Sequence, residues 1–387
     1  MDRRNILAWC LSGGIIGISG CSGLLPNEKE ETSSQFDPSP FTEIEGTQSP
    51  DAVLIIDEDD TNSFGTAVAA ANQTVFVGAP EAETAAESKS GAVYGFQNGD
   101  GEWNQTAKLV VPEEGPDDYG ARVAGSEGTV LIRDDSKKMV PITVIEREEN
   151  GWQQTSTISP STHTGPLAPA DSTAVLGSAS DQSIGVIYER QSGEWKQQES
   201  ISVDGRTGND RSIRSVAIDH GTIVIGETPK GGRVNTGKAY ICEYLNDSWK
   251  LQSEITSDAE QDSFGTSVAV HNNIIIVGGP YSKTVWCFSK EDGGWEQNQR
   301  YSVTNDEMSN SFGWSVDLGS QGAIIGDPHY ESSGAFYHIA DPTDDEREGT
   351  YYTGSESSTS FGSSVAIADN TVIVADKNQN TAYLYTL

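Results

Sequence analysis

Short apolar runs punctuated by turn residues recur along most of the chain. Thr74-Val75-Phe76-Val77-Gly78-Ala79-Pro80, Thr129-Val130-Leu131-Ile132, Thr173-Ala174-Val175-Leu176-Gly177 and Thr371-Val372-Ile373-Val374-Ala375-Asp376 share one pattern. Runs of this length, rich in β-branched residues and bounded by Gly, Pro and Asp, predict buried strands. A fixed ruler accompanies them. Phe64 and Pro80 lie 16 residues apart, as do Phe264 and Pro280, Phe312 and Pro328, and Ile213 and Pro229. The same step from Phe361 reaches Lys377 and from Tyr119 reaches Asp135; the third copy, the most eroded, puts His163 at the Phe position.

A second ruler marks the last strand of each copy. Trp103 to Leu109, Trp152 to Ile158, Trp195 to Ile201, Trp249 to Ile255 and Trp295 to Tyr301 are each six apart. An even spacing predicts that both side chains share one face of a strand. Hairpin signals precede each Trp, as in Asp100-Gly101 and Ser192-Gly193,. In the sixth copy the Trp position falls near Asp345, predicting a weaker outer edge.

Each copy offers four short strands, and one such sheet cannot bury both faces alone. The seventh copy ends at Leu387 after its third strand, while Ala52-Val53-Leu54-Ile55-Ile56 is an apolar strand with no copy of its own. The expected fold is therefore all-β: a seven-bladed β-propeller with four antiparallel strands per blade, its ring closed by a strand at about 51–57 that completes the last blade.

Phe64-Gly65 with Gly78-Ala79-Pro80, echoed by Phe264-Gly265 with Gly278-Gly279-Pro280, resembles the FG-GAP repeat of the integrin α-chain N-terminal propeller. The resemblance spans roughly residues 51–387 and implies a seven-bladed ring with ligand-facing loops on one rim. Many repeats of that family hold calcium between their first two strands. Here those loops, such as Ala71-Asn72-Gln73 and Gly319-Ser320-Gln321, are too short and too neutral for six to eight oxygen ligands,. The family's calcium sites do not transfer; only Asp57, Asp59 and Asp60 offer a weak cation site, and no cofactor is expected.

The N-terminus changes the setting. Arg3-Arg4 precede an apolar stretch, Ile6 to Gly20, that ends at Cys21. At about 22 Å it is short for a hydrocarbon core of roughly 30 Å. It resembles a twin-arginine (Tat) signal peptide, residues 1–20, with a lipoprotein box. That resemblance implies export in folded form, cleavage before Cys21 and lipid on its sulfur, placing the protein on the extracellular face of the cell membrane. Residues 21–50, rich in Ser, Thr, Glu and Pro, read as a flexible tether,.

The net charge is −34, with acids spread over most loops. Such a balance excludes nucleic-acid binding and fits a surface kept soluble in high salt, which a haloarchaeal source would explain. Cys242 and Cys287 fall at positions of opposite parity, so they read as buried apolar side chains instead of a bridge,.

Against the acidic background, Lys89, Lys137, Lys138, Lys230, Arg233, Lys283 and Lys377 gather in the loops joining second to third strands. They are the candidate rim for a surface protein or glycan ligand; the bland alternative is exposed inter-blade ion pairs. No residues stand out as catalytic: the inner strands read small or hydroxylic apart from Arg122 and Arg214, and no nucleophile elbow or phosphate loop is present,. The expected function is a non-catalytic cell-surface binding or adhesion module. The alternative is an extracellular polysaccharide hydrolase or lyase with its site in the central channel.

Overall fold

The structure is a computed structural model that describes residues 49–56, 63–83, 91–110, 118–135, 140–160, 164–178, 183–206, 211–230, 236–257, 262–303, 311–344, 349–355 and 357–387. Within them the chain forms seven four-stranded antiparallel sheets. Blades 1 to 6 each use four consecutive strands. Blade 7 takes three from the C-terminal end and a fourth from Ala52–Leu54, which pairs antiparallel with Thr381–Thr386. The expected closing strand is thus present, though three residues long.

Seven apolar clusters, one at each blade boundary, show that the ring closes. Leu54, Ile373 and Leu384 of blade 7 pack with Phe64, Val77 and Tyr94 of blade 1. The remaining six clusters join blades 1 and 2, 2 and 3, and so on to 6 and 7. Up-and-down order within a blade puts the first-to-second and third-to-fourth turns on one face, here the lower one. The second-to-third loops and the inter-blade connections lie on the upper face.

The repeated Phe-Gly and Gly-Ala-Pro elements meet across blade boundaries. Phe64, Phe264, Phe312 and Phe361 are buried, and the glycine after each has φ between 85° and 89°. A Cβ on Gly226, Gly278 or Gly326 would lie 2.2 Å from the carbonyl oxygen of Gly265, Gly313 or Gly362 in the next blade. Inside a blade the Gly65 and Gly265 amides bond back to the Gly78 and Gly278 carbonyls, at 3.0 and 3.1 Å. The motif is therefore a backbone-on-backbone contact that only glycine permits.

The structure departs from two of the expected spacings. Six residues past Trp103, Leu109 packs on the opposite face, because Gly95 pairs with Ala107 but Phe96 with Gln105. Thr106 is an extra residue, a β-bulge that inverts the alternation. The same bulge recurs at Thr155, Gln198, Gln252 and Asn298, each three residues after its Trp. Each Trp consequently faces the preceding blade and its partner the following one. In blade 4, Ser215 pairs with Gly226 as Ser267 does with Gly278, so Ile213 occupies the glycine position instead of the Phe position. Thr228 lengthens the stretch before Pro229 by one residue and shifts the ruler.

Blade 6 has a short outer strand, Thr350–Thr353, held by Tyr352 stacked 4.4 Å from Phe336. Cys242 and Cys287 are free and buried at the 3/4 and 5/6 boundaries, and burial pushes both thiols up to about 12.

Candidate functional site

On the upper face, Lys230 follows the second strand of blade 4 and is exposed. Lys283 of blade 5 is half-buried, its φ of 52° closing the short 3-10 turn Pro280–Ser282. Lys377 is exposed beside blade 7. The three lie on different blades and do not form one cluster. Lys89, Lys137, Lys138 and Arg233 fall outside the described residues, as do Asp57, Asp59, Asp60, Arg3, Arg4 and Cys21. Lys377 borders a depression of about 370 Å³ with Ser63, Thr66, Pro80 and Asp118, where second-to-third loops of blades 7 and 1 meet the starts of blades 1 and 2.

Beneath this rim sit buried acids that the sequence did not single out. Asp134, Glu227, Asp327 and Asp376 are at most 1% exposed and occupy the position of Ala79 in blade 1. Ser311 donates to Asp327 Oδ1 at 2.8 Å, and Ser360 to Asp376 Oδ1 at 2.9 Å. His329 Nδ1 lies 2.9 Å from Ser311 Oγ, and the His329 amide donates to the same oxygen. A serine nucleophile needs its proton accepted by an imidazole. Here the carboxylate takes that proton, so Nδ1 must be the donor and Ser311 Oγ is saturated. The matching Ser360, with the Asn378 amide on its Oγ at 3.1 Å, confirms a loop-anchoring device. Burial, then the Asp327 charge, push the Tyr337 hydroxyl well above its usual range.

The channel wall is likewise committed to holding blades together. Ser215, Ser267 and Ser315 donate to the Gly265, Gly313 and Gly362 carbonyls of the next blade at 2.7–3.0 Å. Arg122 Nε bonds Asp135 at 2.7 and 2.9 Å, while Arg214 is exposed. Asp317 accepts the Leu318 amide at 2.9 Å and, across the 6/7 boundary, the Ile367 amide at 2.8 Å. On the lower face Asp219 joins His220 Nδ1 at 2.7 Å to the Asn272 amide of blade 5 at 2.9 Å, with His271 Nδ1 3.8 Å away. Sequence spacing missed this grouping because its members are one repeat apart. Aligning the first turns of blades 4 and 5 is the signal that would have found it. Among the described residues no group of three or more His, Cys, Asp or Glu is placed to hold a metal ion.

Burial raises the Asp317 carboxyl from 3.8 to about 6, against the lowering effect of its two amide bonds. The folded state then keeps a proton between pH 4 and 6 that the unfolded chain has lost. Stability should fall as pH rises through that window. In the difference between wild type and Asp317→Asn, followed by denaturant titration from pH 3.5 to 7, this slope should appear; a difference flat with pH would refute it.

No protein-family model matches the chain, and no curated protein does. Many solved structures share its fold. It is similar to Sqt1 of Saccharomyces cerevisiae, at 10% identity and TM-score 0.54, covering 88% of this chain and 100% of that one. A chain of the mitotic checkpoint complex matches at 12% identity and TM-score 0.54, over 96% and 99%. KlAtg21, in complex with the coiled-coil of AgAtg16, matches at 11% identity and TM-score 0.57, over 85% and 94%. At such identities the likeness establishes the seven-bladed propeller fold and nothing finer.

Proposed function

We propose that the protein is an exported, lipid-anchored binding module that engages a surface protein or glycan through the upper rim of an FG-GAP propeller. The carrying observation is the division of labour between the two parts of the molecule. Inner-strand serines, Asp317 and the Ser311–Asp327–His329 chain are all used to fasten blades or loops, which leaves little for channel chemistry. The second-to-third loops instead present side chains to solvent, Lys230 and Lys377 among them. Partner binding by propellers of this fold supports the reading: KlAtg21 was solved with a coiled-coil of AgAtg16. The Phe-Gly to Gly contact across blade boundaries supports the FG-GAP assignment. Cys21 after a short apolar segment supports the anchor,.

The test is capture of envelope proteins and glycans by the full chain in high salt. Replacing Lys137, Lys138 and Lys230 with Gln should weaken capture by more than about tenfold, as expected for charges that steer and orient a partner. Undiminished capture would sink the rim assignment.

A further inference from the structure

The whole chain contains three Asn-x-Ser/Thr triplets: Asn72-Gln73-Thr74, Asn104-Gln105-Thr106 and Asn246-Asp247-Ser248. Such triplets are acceptors for N-linked sugar when displayed on an exported protein. The fold places all three at the lower face. Asn72 lies in the first turn of blade 1, after Ala67–Ala71. Asn104 stands just past the third-to-fourth turn of the same blade, in Glu102–Val110. Asn246 is at the tip of the third-to-fourth turn of blade 4, with φ 52°. None falls in an upper-face loop.

Their local chemistry differs sharply. Asn246 and Asn104 are exposed, and Thr106 is exposed as well. The Asn104 amide makes only a 3.4 Å contact to the Glu102 carbonyl in its own hairpin. At Asn72 the acceptor nitrogen is engaged, donating to the Glu127 carbonyl of blade 2. Its Thr74 is fully buried, and the Thr74 hydroxyl accepts from Trp152 Nε1 at 2.9 Å and Gln97 Nε2 at 2.8 Å. A transferase acting on the folded chain could not reach the hydroxyl of that triplet, and would have to break the Asn72–Glu127 bond to use its nitrogen.

We propose that Asn104 and Asn246 carry N-linked sugar and that Asn72 does not. The donor is a lipid-linked phospho-oligosaccharide. A bond forms between asparagine Nδ2 and the anomeric carbon, the anomeric carbon–oxygen bond to phosphate breaks, and the amide proton leaves to a base of the transferase. A chain on Asn104 would overlie the groove where the ring closes. That groove is lined by Val53, Ile55, Trp103 and Asn104, with Val53 50% and Ile55 61% exposed. Sugar there shields an apolar strand edge that would otherwise invite association. Sugar on the lower face also leaves the upper rim clear. The inference rests on the export reading above.

The full chain, produced in a host that exports and N-glycosylates its surface proteins, is recovered from intact cells and examined by intact-mass and glycopeptide mass spectrometry. Surface protease sensitivity is scored in parallel as the readout of export. The expected result is two modified sites, one lost in Asn104→Gln, the other in Asn246→Gln, and no mass change in Asn72→Gln. A surface-exposed chain without sugar, or with sugar on Asn72, overturns the inference and leaves export standing. A chain retained inside the cell overturns both.

Discussion

Gly278→Ala should destabilise the propeller by about 3 kcal/mol, a fall in Tm of roughly 5 °C for a domain of this size. The added Cβ would lie 2.2 Å from the Gly313 carbonyl oxygen and 2.3 Å from Ser267 Oγ. The hydroxyl can rotate away, but the carbonyl belongs to the backbone of the neighbouring blade. Relief therefore requires blades 5 and 6 to part, which loosens the packing of Phe312 and Cys287 between them. Gly101→Ala is the matched control. Its φ is 88°, so it carries left-handed strain of about 1 kcal/mol, yet a Cβ there meets nothing within 4 Å. Thermal and denaturant unfolding of both variants separates strain from collision. Equal losses would mean that blade contact is not what the glycine protects.

That contact explains why so much of the fold was legible. A motif forced by backbone collision at four of the seven boundaries, 1/2, 4/5, 5/6 and 6/7, recurs there at fixed spacing, and the Phe64–Pro80 step reports it. Blade number and the closing strand follow from counting such steps. What failed was inference across an irregularity. The Trp103–Leu109 spacing is even, but Thr106 bulges between them, and nothing in residue type marks a bulge. Blade 4 hid an extra residue before Pro229, so the 16-residue step back from Pro229 landed on Ile213, one position past the Phe-equivalent Ser212. The candidate site was less legible for a different reason. Acidic side chains are so common here that buried ones do not stand out; Glu227 and Asp327 betray themselves only when aligned with Ala79, a position that is buried in blade 1. Composition describes the surface average, whereas alignment of repeats describes the individual side chain.

The buried acid of blade 4 gives the second large effect. Glu227 is fully buried, and Arg206, from the connection between blades 3 and 4, meets its Oε1 at 2.6 Å with an exposure of 3%. Tyr240 donates to the other oxygen at 2.9 Å, Arg211 lies 3.7 Å from it, and Arg206 also reaches the Ser183 carbonyl of blade 3 at 3.4 Å. Glu227→Ala leaves the Arg206 guanidinium buried without its carboxylate and the Tyr240 hydroxyl without its acceptor. Removing one member of such a pair should cost about 3–5 kcal/mol. Arg206→Met with Glu227→Leu removes both charges and fills the space with apolar groups; it should recover the share of the loss due to the unpaired Arg206 guanidinium, the Tyr240 hydroxyl still lacking its acceptor,. Salt supplies the discriminating measurement. Repulsion among exposed acids of a −34 chain is screened beyond about 10 Å at 0.1 M and beyond about 3 Å at 1 M,, so overall stability should climb steeply with salt. The pair is shielded from solvent, so the penalty of Glu227→Ala should stay nearly constant across the same range. A penalty that shrinks in parallel with the surface effect would show that the pair is solvated and that blades 3 and 4 are held by packing alone.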